Sequence, residues 1–277
     1  MLTILFALLA ATLAWFGVYY GFEGGHWGWA SLASFTGFVA VALPITYIIR
    51  KRMERIFTAV QAKIVASQEQ LRRKVMALQN KMQGGANFQA RIEKEQADSI
   101  RETILLLDDL KPIQKWNLLA LRQYNTFKGQ MLFQIKDFAQ AGPLLEKALV
   151  LDPLTLAMQM VLMYKKGELK KLEKAFYKGT GRFKDEKGIM IYATYSWILF
   201  KENRISEAVA ILDEGKKKCE SPVLEQNWEH LVNGRTKRFS FAALGEQWFA
   251  LYLEKPSQQK IKAQQPFGGR ANRGGFR

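Results

Sequence analysis

The chain has 277 residues, 48% apolar and 24% charged, with a formal net charge of +16; this balance is ordinary for a folded protein and excludes wholesale disorder. A lone cysteine, Cys219, excludes an internal disulfide scaffold, and with only His26 and His230 beside it a structural zinc site is excluded too. Charge is spread unevenly: residues 1–49 hold one charged side chain, Glu23, and the remaining 228 residues hold 65.

Leu2 to Tyr20 is a run of 19 uncharged, mostly apolar residues, and Gly28 to Ile49 is a second of 22. A hydrocarbon core about 30 Å thick needs roughly 20 such residues in a helix, so each run is long enough to cross it. The seven residues between them are too few and too Gly-rich for a domain, which predicts a transmembrane helical hairpin over 1–49, with spans at about 2–20 and 28–49. Trp15, Tyr19, Tyr20, Trp27 and Trp29 cluster at the turn, where amphipathic rings favour a water–lipid boundary. Small residues at four-residue spacing (Ala7/Ala11, Ala10/Ala14, Ala30/Ser34, Ala33/Gly37) allow two membrane helices to approach closely. Pro44 is tolerated inside such a helix. Thr12-Leu13-Ala14 offers small residues for signal cleavage, but no positive residue precedes the run, so the first span is expected to stay. Arg50, Lys51, Arg52 and Arg55 follow the second span at once, whereas the turn has no Lys or Arg. The positive-inside rule therefore predicts an integral membrane protein with residues 50–277, and both termini, in the cytoplasm.

Residues 50–83 carry nine Lys/Arg against two Glu and contain neither Pro nor Gly. Phe57, Val60, Ile64, Leu71, Val75, Leu78 and Met82 recur at three, four or seven residues, interrupted at Ser67. The pattern predicts a basic amphipathic or coiled-coil helix over 50–84, ended by Gly84-Gly85. Its cations, with Arg72, Arg73 and Lys74 further along, are candidate contacts for anionic lipid or nucleic acid.

Residues 85–255 read as helices in series, with no alternating strand pattern. Breaks fall at Leu110-Lys111-Pro112, Asp152-Pro153, Lys166-Gly167, Gly179-Thr180-Gly181, Glu202-Asn203 and Ser221-Pro222. In residues 122–155, Gly129, Ala141, Ala148 and Pro153 occupy repeat positions 8, 20, 27 and 32, with Leu132, Phe138 and Leu145 at 11, 17 and 24. This resembles a tetratricopeptide repeat, a 34-residue helix–turn–helix whose small positions let helices touch. Asn125 departs from it, since a large aromatic is usual there. A weaker match begins at Ile189, with Ser196, Leu199, Ile205, Ala208, Leu212 and Gly215 at the same spacings. Residues 153–187 keep Gly167, Phe176 and Gly179 and form a degenerate unit between the two. Residues 221–254 are expected to close the row as a helical pair, with Ser240 capping a helix over Phe241–Glu254. The resemblance implies an all-α chain ending in an α-solenoid of helix pairs. The layout is also similar to HemY-type bacterial inner-membrane proteins, in organisation rather than motif, so no haem-pathway role follows from it.

Residues 256–277 are Gln-rich, then Gly- and Arg-rich, and are expected to be a disordered basic tail in which Arg270, Arg273 and Arg277 are suited to nucleic acid. Catalytic templates find little. Cys219 and His230 stand eleven apart in a helical pattern, and Lys178-Gly179-Thr180-Gly181-Arg182 lacks the spacing of a phosphate loop and reads as a connection between repeats. Neither an enzyme, a cofactor nor a metal is expected. The repeat resemblance implies binding of a protein partner, as peptide or helix, by groove positions Gln123, Thr126, Gln130, Phe133 and Gln134, then Met190, Ala193, Trp197, Phe200 and Lys201. The leading expectation is a membrane-anchored interaction adaptor or scaffold; the alternative is a membrane tether for nucleic acid through 50–83 and 256–277.

Overall fold

The described residues are helical throughout apart from turns and connections, and no strand occurs among them. The computed structural model describes residues 2–21, 27–79, 86–116 and 118–255. The Gly84-Gly85 break and the tail bearing Arg270, Arg273 and Arg277 lie outside them.

Helices α1 (Leu2–Gly21) and α2 (Trp27–Gln79) pack side by side through their small residues. Ala7, Ala11 and Ala30 are buried, and a Cβ on Gly37 would sit 3.0 Å from the Ala14 methyl and 3.3 Å from the Ala10 carbonyl. Their large side chains, among them Leu5, Leu13, Phe16, Leu32, Phe35 and Leu43, are exposed. Both helices are long and apolar enough to cross a membrane.

The second uncharged run and the basic segment prove to be one helix of 53 residues, about 80 Å long at 1.5 Å per residue. Nothing between Ile45 and Gln79 interrupts it, because that stretch has no Gly or Pro. Beyond Ile49, α2 is flanked by α3 (Ala86–Asp108), which returns alongside it through Lys63–Glu102 at 2.9 Å and Lys74–Glu95 at 3.0 Å. Val60 is buried, and Met53, Ile56, Phe57 and Ile64 pack against the core. Protein therefore covers the apolar stripe of the basic segment from Met53 to Ile64.

A one-turn α4 (Lys111–Gln114) leads to three helix pairs: α5/α6 (Leu118–Gln134, Phe138–Glu146), α7/α8 (Pro153–Lys165, Leu169–Arg182) and α9/α10 (Ile189–Lys201, Ile205–Cys219). The first helix of each pair packs on the first of the next, and α9 and α10 also pack on α11 (Pro222–Val232). Four of these helices end alike. Lys136, Gly167, Asn203 and Gly234 adopt positive φ, and the following N–H bonds back to the carbonyl five residues earlier. That closure satisfies orphan carbonyls at the helix end. Small residues sit where pairs close up: a Cβ on Gly129 would lie 2.7 Å from Leu145 Cγ, and one on Gly215 2.8 Å from the Tyr192 ring.

Two expectations are corrected. Gly179-Thr180-Gly181 is no connection but the last turn of α8, where Gly179 lies against Leu156 and Ile191. Residues 241–254 do not form one helix. Ser240 Oγ does accept from the Ala242 N–H at 3.2 Å, but Gly245, at φ +71°, separates a 3-10 turn from the four-residue α12 (Glu246–Phe249).

Candidate protein-interaction site

The helix row is covered at both ends by the chain itself. At the α9 end the cover is the irregular segment 239–254. Phe239 packs on Phe200 with centroids 4.6 Å apart, and Phe241 meets Phe239 and Trp248 at 5.2 and 5.1 Å. The segment also reaches the first pair: the Tyr252 hydroxyl donates to the Gln134 carbonyl, and its ring stacks on Phe133 at 6.0 Å.

At the α5 end the cover is the α2/α3 hairpin. Phe57 meets Phe127 at 4.9 Å, and Asp108 accepts hydrogen bonds from Tyr124 (2.6 Å), Lys128 (2.7 Å) and Lys111 (2.8 Å). Burial would raise the Asp108 carboxyl, but those three donors and the Lys128 charge outweigh it and hold the group at about 2. Burial, together with the same contact, pushes the Tyr124 phenol well above its ordinary range. This carboxylate latches α3 to α5.

Beyond the latch the hairpin and α5 diverge around a cleft of about 500 Å³. Its walls carry Lys63, Ser67 and Lys74 from α2, Glu95 and Ser99 from α3, and Phe127, Gln130 and Gln134 from α5, among others. The lining is mixed: short hydroxyls, amides and both signs of charge over an apolar floor of Ile64, Ile100 and Met131.

The expected groove residues divide accordingly. Gln130 and Gln134 line the cleft, Gln130 also donating to Thr155 Oγ1 at 2.7 Å, while Gln123 is half-buried. Thr126 is buried and structural: its hydroxyl accepts from the Leu149 N–H at 2.8 Å, tying the α6–α7 connection to α5. Phe133 is fully buried between Phe138 and Tyr252 and is core, because the C-terminal segment lies over it. Trp197 is buried edge-on to Tyr164, and Met190 and Ala193 are buried as well. Phe200 lies under Phe239, which leaves Lys201 as the exposed member of the second set, its ammonium 5.0 Å from the Trp197 ring.

Among the basic candidates, Arg50, Lys51, Arg52 and Arg55 are exposed near the end of the uncharged run. Arg72, Arg73 and Lys74 are exposed at the far end of α2, where Arg73 pairs with Glu69 and Lys74 with Glu95. Burial and the nearby Asp185 push the Cys219 thiol up to about 11, so it stays protonated at neutral pH. No three His, Cys, Asp or Glu side chains converge as metal ligands would among the described residues. The sequence pattern pointed at the α5 face but not at the α2/α3 wall opposite it, since that juxtaposition is set by tertiary contacts. Comparison with family models, with curated proteins and with solved structures finds no match.

Proposed function

We propose that the chain is a membrane-anchored interaction adaptor: two apolar helices fix it in a bilayer, and a row of tetratricopeptide-like helix pairs holds a protein partner on the cytoplasmic side. The single observation carrying this reading is the cleft between α2/α3 and α5, mixed in polarity and lined by two of the expected groove residues, Gln130 and Gln134, whereas Phe133 and Phe200 lie under the chain's own aromatic rings. Its size and lining suit a short peptide or the edge of a helix, with Phe127, Ile100 and Met131 taking apolar side chains and Gln130, Gln134, Lys63 and Glu95 fixing register. Serial packing of first helices, the shared turn geometry and the close approaches at Gly129 and Gly215 support the solenoid. Exposed large side chains along α1 and the first half of α2 support the anchor.

The test is mass spectrometry of proteins co-purifying with the detergent-extracted full-length chain, with and without nuclease, beside Ser67→Arg and Ser99→Arg variants that fill the cleft. Partners that survive nuclease and are lost from both variants, at unchanged helical content, are expected. Ribosomal or nucleoid proteins that vanish with nuclease and ignore the variants would instead favour the nucleic-acid tether.

A further inference from the structure

The α1 N-terminus is bound to the helical domain. First-turn N–H groups of a helix have no partner within it, and here the Leu2 N–H donates to the Lys115 carbonyl at 3.2 Å while Thr3 Oγ1 donates to the Trp116 carbonyl at 3.0 Å. One turn further in, Phe6 stacks on the Trp116 indole at 5.8 Å. The α4–α5 junction thus sits beside the first turn of the first apolar helix, not beyond its end. In the same junction Leu119 is 52% exposed and Lys111 and Lys115 are exposed, and on α2 the exposed Arg50, Lys51 and Arg52 follow the uncharged run directly.

We propose that the junction, through Lys111, Lys115, Trp116 and Leu119, is a third membrane-contact element that seats the helical domain on an anionic lipid surface. Trp116 and Leu119 enter the headgroup–acyl boundary, as amphipathic rings and flanking apolar residues do, and the surrounding ammonium and guanidinium groups lie over the phosphates. Backbone carbonyls at that depth need donors, and α1 supplies them to Lys115 and Trp116. The domain is therefore docked against the bilayer instead of swinging on α2, which holds the cleft at a set height above the surface. The inference rests on the membrane-anchored reading, and its test separates the two.

Because Cys219 is buried and its thiol pushed up, an introduced surface cysteine can be labelled selectively. Full-length Leu32→Cys, Leu119→Cys and Lys217→Cys, each carrying an environment-sensitive fluorophore, are reconstituted in phosphatidylcholine vesicles with about a quarter phosphatidylglycerol. Lipids brominated near the headgroup end of their chains serve as quencher. The proposal expects blue-shifted, quenched emission at positions 32 and 119, none at 217, and weaker quenching at 119 when phosphatidylglycerol is omitted. Quenching at 32 but not at 119 overturns the docking and leaves the anchor standing. No quenching at 32 overturns both, and equal quenching at 119 without phosphatidylglycerol overturns the anionic-headgroup contact.

Discussion

At the α9 end of the helix row the covering segment is held by a dry aromatic cluster, Phe239, Phe241 and Trp248 packed ring against ring over Phe200; at the α5 end the α2/α3 hairpin meets α5 through one aromatic pair and a carboxylate latch, then parts around a polar cleft. The two ends of the row are thus covered in two ways. Apolar rings that exclude water act as permanent core, whereas a wall of amides, hydroxyls and ion pairs can exchange its water for a partner's groups. The proposed interaction surface is the cleft end, and the difference can be broken or sharpened one end at a time.

The largest effect belongs to the dry end. Trp248→Ala empties a fully buried site and should cost about 3–5 kcal/mol in denaturant unfolding of the detergent-solubilised protein. A loss below about 1 kcal/mol would make the segment an ornament of the fold rather than part of its core.

At the cleft end, Asp108→Asn weakens three charge-assisted bonds and should cost about 1.5–3 kcal/mol, with faster amide exchange in α3 and in the first half of α5. Its pH dependence has a definite sign. The folded carboxyl titrates at about 2, below its unfolded value, so the latch contributes fully above about pH 4 and is lost as pH falls toward 2. Asp108→Asn should flatten that acid limb; an unchanged limb would assign it to other carboxylates. A double-mutant cycle on Phe57 and Phe127 should return a coupling of about 0.5–1.5 kcal/mol, and zero coupling would leave the Asp108 latch as the tie between hairpin and α5. Lys74→Ala, which removes an exposed pair with Glu95, should change stability by less than about 1 kcal/mol.

Much of this was legible in the sequence where the determinants are local. The two uncharged runs correspond to α1 and the first part of α2. In the α5/α6 pair Ala141 and Leu145 are fully buried, and Gly129 lies close against Leu145. The α7/α8 pair was harder, because Met160 and Leu172 occupy positions where small residues are usual, yet both are buried and the close contact persists at Gly179. Its turn matches the others although Lys136 and Asn203 replace glycine at two of the four left-handed positions. Contacts that join distant segments left no periodic trace. Tyr252 reaches a carbonyl 118 residues away, and that contact turns Phe133 from a groove candidate into core. The pairing of α2 with α3 likewise depends on contacts such as Lys63–Glu102 that no spacing rule connects.

The central claim, that a partner sits between α2/α3 and α5, is tested most directly by site-specific photo-crosslinking of the full-length protein in its membrane. A photoreactive residue replaces Gln134 at the cleft or, as a control, Lys217 on the exposed side of α10. The account predicts a discrete protein adduct from position 134 that survives nuclease, disappears with Ser99→Arg, and is absent from position 217. Equal adducts at both positions, or none at 134 in a membrane where 217 crosslinks, would contradict it.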